Sequence, residues 1–193
     1  SLTSQWYSAQ SGQFSATRVF GVYEDLSGNE WILSDNGLGM LAAGQTTPAS
    51  YFVDAAEREK KGGQAFYSCL EYDSEIYFGS DNGRVWCYQK ENGQFQLQNL
   101  PVSSRIVSIN SVEGNELIFT TAKDGFFSYQ PKTKAIEHFP ASRFPNASIH
   151  SVYVDKASEV WFEQHIPGTV VHFNPRTRIL KQEKVPVEPT STD

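Results

Sequence analysis

Cysteine is nearly absent. Cys69 and Cys87 are the only two in 193 residues, too few to show whether the chain lives in an oxidising compartment. Long apolar runs are missing too. None approaches the roughly 18–20 residues needed to cross a bilayer, and the opening "SLTSQWYSAQ" has no basic start and no apolar stretch of a signal peptide. Positive charge is scarce: 16 basic residues face 22 acidic ones, for a net charge of −6. Without a basic stripe, a nucleic-acid backbone is excluded as a partner. No stretch sustains a 3.6-residue apolar period, which excludes alternating helices and strands. Catalytic signatures are lacking as well: there is no Gly-x-Ser-x-Gly elbow, no phosphate-cradling glycine loop and no His-Glu-x-x-His.

What the chain does have is aromatics and a repeat. Ser-Asp-Asn-Gly occurs at residues 34–37 and again at 80–83. Asn-Gly between apolar runs predicts a hairpin with a type I′ turn, both central residues at φ > 0. Aligning on these turns gives four units with glycines at Gly37, Gly83, Gly125 and Gly168, spaced 46, 42 and 43 residues apart. Upstream of each stands Trp31, Tyr77, Ile118 or Trp161, preceded by an acid, Glu30, Glu75, Glu116 or Glu159.

Each unit opens on an apolar residue followed two positions later by Gly21, Ser68, Ser108 or Ser151. A small residue at one place predicts close backbone approach, as where strands crowd a common axis. Cys69 takes a position that other units give to Val or Ile, so it reads as a small core hydrophobe. Later turns carry Asn92-Gly93, Pro131 and Pro175.

Four strands in about 43 residues match one blade of a β-propeller. The expectation is therefore an all-β chain forming a β-propeller of about four blades of four antiparallel strands, part of a larger propeller. It would be a single domain over 1–193, with blades near 18–54, 64–100, 105–140 and 148–182 and a tail at 183–193. In the first blade the apolar island Tyr51-Phe52-Val53 is read as the fourth strand, and the charge run 57–61 as a solvated loop. Trp6, Tyr7 and Phe14 would belong to a preceding or closing strand. A blade buries both faces against neighbours, so exposed end faces predict ring closure, self-association through blade faces, or a longer parent.

"VFGVYEDLSGNEWILSDNGLGML" resembles the two-component regulator propeller repeat, with Asp25, Gly28, Trp31, Ile32, Gly37 and Leu38 in that family's positions. The fourth unit keeps Asp155 and Trp161; the second and third have Tyr77 and Ile118, with no counterpart of Asp25. The resemblance covers about 165 of 193 residues, strongly in the first unit and weakly elsewhere. It implies the periplasmic sensor region of a hybrid two-component histidine kinase/response regulator protein from a polysaccharide-degrading bacterium. In that family propellers precede a membrane helix, a kinase and a receiver.

This chain would then be a piece of the sensor, not itself an enzyme, periplasmic and joined to the inner membrane only through other parts of its parent. It would respond to a small-molecule or oligosaccharide ligand without any cofactor. A free-standing binding or scaffold propeller is the alternative; a propeller lyase or glycosidase, using His150, His165 and His172, is a third reading. Asp35, Asp81 and Asp124 recur at turns, where turn chemistry outweighs calcium binding. No metal site is expected. The ligand-facing candidates, on loops where propellers bind, are Arg18, Arg105, Lys123, Arg143, Phe144 and His165.

Overall fold

A computed structural model describes residues 16–52, 65–98, 100–146, 148–164, 166 and 168–185. They fall into two compact units, residues 1–101 and 102–193, each containing two four-stranded antiparallel sheets.

In the first unit, sheet one is the meander β1 (Val19–Glu24), β2 (Glu30–Ser34), β3 (Gly37–Leu41) and β4 (Ala49–Tyr51). Sheet two is β5 (Phe66–Tyr72), β6 (Glu75–Ser80), β7 (Val85–Gln89) and β8 (Gln94–Gln98). Trp31, Leu33 and Leu38 of sheet one pack against Phe66, Ile76 and Phe78 of sheet two, with Cys69 partly buried beside them. Burial pushes the Cys69 thiol up to about 12, so this cysteine packs as an inert side chain. The fourth strand comes earlier than expected. Phe52 leaves the sheet at φ 61 and turns its ring onto Phe66, Trp86 and Phe95, while Val53 and the charge run lie outside the described residues, as do Trp6, Tyr7 and Phe14.

In the second unit, sheet three is β9 (Ile106–Val112), β10 (Glu116–Thr121), β11 (Phe126–Gln130) and β12 (Ala135–Phe139). Sheet four is β13 (Ser151–Val154), β14 (Val160–Glu163), β15 (Thr169–Asn174) and β16 (Ile179–Lys184). Ile118, Phe126 and Phe139 of sheet three meet Val160, Phe162, Val171 and Phe173 of sheet four. Phe126 is the hub, its ring 4.5–4.9 Å from those of Phe139, Phe162 and Phe173.

The turns explain why residue types recur. The second and third strands of sheet one join through Asp35-Asn36, with Ser34 opposite Gly37. Only the glycines take left-handed backbone, at φ 95, 79 and 84 for Gly37, Gly83 and Gly125; Asn36 and Asn82 do not. The expected type I′ turn is thus replaced by a turn followed by a left-handed glycine. At Gly125 a Cβ would collide with Phe139 O and lie 2.8 Å from Ala141 N.

Turns between third and fourth strands repeat bond for bond. The N–H groups of Gly93, Lys134 and Arg178 donate to Gln89, Gln130 and Asn174 carbonyls, and all three residues are left-handed, at φ 70, 59 and 59. From that position Arg178 reaches back to sheet three. Its guanidinium pairs with buried Glu116 at 2.6 Å and with Glu137 at 2.9 Å, and donates to Ser128 Oγ.

The first turn differs between sheets. In sheets one and four it has five residues, 25–29 and 155–159, between Glu24↔Glu30 and Val154↔Val160. Asp25 Oδ1 accepts from the Ser27 and Asn29 N–H groups, and its Oδ2 accepts from the Trp31 indole at 3.0 Å. Asp155 does the same with Ala157, Glu159 and Trp161, the last at 2.9 Å. In sheet two only Asp73 and Ser74 separate Tyr72 from Glu75, and in sheet three residues 113–115 intervene. Where the turn shortens, the carboxylate and the indole it holds both disappear.

The small residues after the first apolar position have a different cause from the one expected. Val19 faces Ser34 but Gly21 faces Leu33, so Phe20 is an inserted bulge residue. Tyr67 and Val107 are inserted at the same place in β5 and β9. Gly21, Ser68 and Ser108 follow bulges, and a Cβ at Gly21 would meet nothing within 4 Å. A bulge bends the strand at that point, and at Gly21 no backbone crowds it.

Candidate functional site

In sheets one to three, at the end where the first strand begins, the lead-in segment is tied to the turn between second and third strands. In sheet one, Asp35 N–H donates to Arg18 O at 3.1 Å. Asp35 Oδ1 accepts from the N–H groups of Thr17 and Arg18, both at 3.0 Å, and Oδ2 accepts from the Thr17 hydroxyl. In sheet two Asp81 N–H donates to Ala65 O. In sheet three Ala122 N–H donates to Arg105 O, and Asp124 Oδ2 accepts from the Ser104 hydroxyl at 2.7 Å and from the Ser103 and Ser104 N–H groups.

These bonds hold both carboxyls below the usual range. For Asp35 the Thr17 hydroxyl contributes most. For Asp124 desolvation opposes ionisation, and the bonds from Ser104 and Ser103 outweigh it. The turn aspartates therefore act on their own chain. Among the described residues, no three His, Cys, Asp or Glu side chains gather as a metal site.

The sequence candidates occupy distinct positions. In the first unit, Arg18 is exposed, its guanidinium 5.9 Å from the Phe20 centroid. In the second unit, Arg105 and Lys123 are exposed at one corner, where Lys123 N–H donates to Ser104 Oγ. Arg143 ends a 3-10 turn, Ala141–Arg143, with its guanidinium 5.1 Å over the Phe139 ring. Phe144, expected to face a ligand from a loop, is buried, with its ring against Phe126 and Phe162. His165 lies outside the described residues. His150 immediately precedes β13 and is exposed. His172 is buried in β15, stacked on Trp161 at 4.6 Å, with its ring nitrogens 2.9 Å from Glu159 and 3.0 Å from Glu183.

The residues that sequence reasoning passed over are the bulge side chains. Phe20 and Tyr67 leave adjacent sheets at the same point and stack at 4.3 Å with 27° between their planes. The readable signal was a break in alternation, two large residues before the small one in "VFG" and "FYS". Arg18, Phe20 and Tyr67 together make a half-open array of one cation and two rings at one corner of the first unit.

No model of a protein family matches the chain, and no curated protein does. Solved structures do. The extracellular domain assigned to hybrid two-component system BT4673 of B. thetaiotaomicron aligns over 92% of this chain and 23% of its own, with 19% identity and a TM-score of 0.70. The corresponding domain of BT3049 aligns over 92% and 26%, with 15% identity and a TM-score of 0.70. Virginiamycin B lyase from Staphylococcus aureus aligns over 88% and 56%, with 18% identity and a TM-score of 0.70. The chain thus spans about a quarter of the two sensor-system domains and about half of the lyase. At these identities the likeness concerns the fold: the chain is all-β, a partial β-propeller. Among the described residues no helix is long and apolar enough to cross a membrane.

Proposed function

We propose that this chain is part of the extracytoplasmic sensor of a hybrid two-component signalling protein. In this reading it receives a carbohydrate and its parent passes the signal to a kinase across the membrane. The supporting observation is a coincidence of two kinds. The Asp25–Trp31 turn has the residue pattern of the two-component regulator propeller repeat, and 92% of the chain takes the fold of extracellular domains of two hybrid systems.

The chain's role is reception rather than catalysis, and it sits in the periplasm as part of an inner-membrane protein. Self-association through sheet faces belongs to the same proposal. The face of sheet one turned away from Trp31 exposes Val22 at 65%, and the face of sheet four that bears Trp161 exposes Tyr153 at 64%. Apolar side chains this open on sheet faces suit a covering surface.

The test is the parent reading frame together with signalling in cells. A membrane segment and kinase downstream, and a reporter that responds to one polysaccharide and falls silent when residues 16–185 are deleted, are expected. A parent without membrane or kinase segments would overturn the assignment.

A further inference from the structure

We infer that Arg18, Phe20 and Tyr67 form a subsite for a carboxylate-bearing saccharide, with the Arg18 guanidinium receiving the carboxylate. The inference rests on the carbohydrate-sensing reading and names the ligand class within it.

The bulge comes first. In a regular strand, residue 20 would alternate with its neighbours and point at one sheet face or the other. The inserted residue escapes that alternation, and bulges commonly re-aim a side chain in this way next to functional sites. Here the insertion occurs at one position in three first strands. In the first unit both inserted residues are aromatic and stack on each other, and both stay half-buried, apart from the buried cluster around Trp31 and Phe78. Large stacked rings that keep part of their surface in water offer apolar area to a partner.

The cation comes second. A guanidinium lying over a ring keeps its in-plane N–H fork available, and that fork matches a carboxylate in two bonds. Arg18 is exposed, sits over Phe20, and makes no ion pair with any described residue. The acid whose charge it feels is Asp35. Both Asp35 oxygens already accept from Thr17 and from the backbone N–H of Arg18 itself. An exposed arginine whose neighbouring acid is already bonded to Thr17 and to backbone, in a chain of net charge −6, has its guanidinium fork open to an anion from outside.

The combination selects the ligand. A neutral sugar would use the rings but offer the fork only single hydroxyl oxygens, without the charge or the paired acceptors of a carboxylate. Inorganic phosphate would use the fork and leave the rings idle. A uronic acid presents C–H surface and a carboxylate on one ring, and so uses both.

The experiment is a matched pair of probes, methyl β-glucuronoside and methyl β-glucoside, with inorganic phosphate as a third, titrated into the 193-residue protein by NMR. The glucuronoside should bind at least tenfold more tightly than the glucoside, with shifts at Arg18, Phe20 and Tyr67, and should weaken as salt rises. Arg18→Gln should remove that preference; Arg18→Lys, which keeps the charge and loses the fork, should retain only part of it. Tyr67→Ala should weaken both sugars.

Binding of the glucuronoside that survives Arg18→Gln in a variant with unchanged far-UV circular dichroism overturns the inference. So does equal binding of both sugars, although that result leaves the carbohydrate reading standing. Phosphate binding as tight as the glucuronoside would mean an anion site without a saccharide. Binding of neither sugar overturns the inference, while the carbohydrate reading is decided separately by the polysaccharide response of the reporter.

Discussion

Trp31 and Trp161 hang from the same clamp and meet different surroundings. Each indole donates to the second oxygen of an aspartate six residues earlier, while the first oxygen closes a five-residue turn. Trp31 is fully buried, with Phe78 and Tyr88 of sheet two at 4.9 and 4.8 Å. Trp161 is only half-buried, and its partner is His172 of its own sheet. The clamp is thus a local device, made by seven consecutive residues whatever lies above them. Burial is a separate, tertiary contribution. Comparing the two positions lets each be weighed alone.

The largest expected effect breaks the pair on the tertiary side. Trp31→Ala should cost about 3–5 kcal/mol in urea unfolding, the range for truncating a wholly buried aromatic. Trp161→Ala should cost about 1–2 kcal/mol, since less apolar area returns to water. Equal losses would mean that Trp161 is covered in solution, as self-association through that face requires. Sedimentation at several concentrations would then show the assembly.

Breaking the clamp should matter less. Asp25→Ala leaves a buried indole N–H without an acceptor, at about 1–3 kcal/mol; the same change at Asp155 should cost less, because that indole can reach water.

Acid offers a third, smaller contrast. At Asp25 desolvation opposes ionisation, but the bonds from Trp31, Asn29 and Ser27 outweigh it and lower the carboxyl. At Asp155 the Trp161 indole leads the same lowering. A carboxyl whose folded pKa lies below its unfolded value of about 3.9 contributes stability above that pH and loses it as pH falls through the folded value. The urea midpoint should therefore decline below about pH 4, and Asp25→Ala should flatten that decline measurably.

The smallest expected effect is at Gly21→Ala, within about 0.5 kcal/mol of the parent, because the added methyl meets open space. Gly125→Ala is its opposite, at about 2 kcal/mol or more, with positive φ and the Phe139 carbonyl in the way.

Much of the fold was legible because its punctuation is local. Left-handed glycines at Gly37, Gly83 and Gly125 mark the same turn in three sheets, and the clamp writes Asp and Trp at fixed spacing in two. The start of β4 was missed because Ala49-Ser50 has no strand preference of its own; pairing with Leu38–Met40 makes it one. The candidate site was legible only in part. Arg18 stood out by charge, but Phe20 and Tyr67 lie 47 residues apart and meet only across two sheets. By sequence Phe144 falls on a loop between repeat units, yet the 3-10 turn before it leads its ring into the core of the second unit.

Arg178 occupies a backbone position that sheet two fills with Gly93, and the left-handed conformation costs a non-glycine residue about 1 kcal/mol. Its reach to Glu116 changes how the second unit comes apart. Lifting sheet four away would strand a buried acid without its cation, so the last two sheets should be lost in one step. Amide exchange across β10 and β15 would then report a single opening energy rather than two.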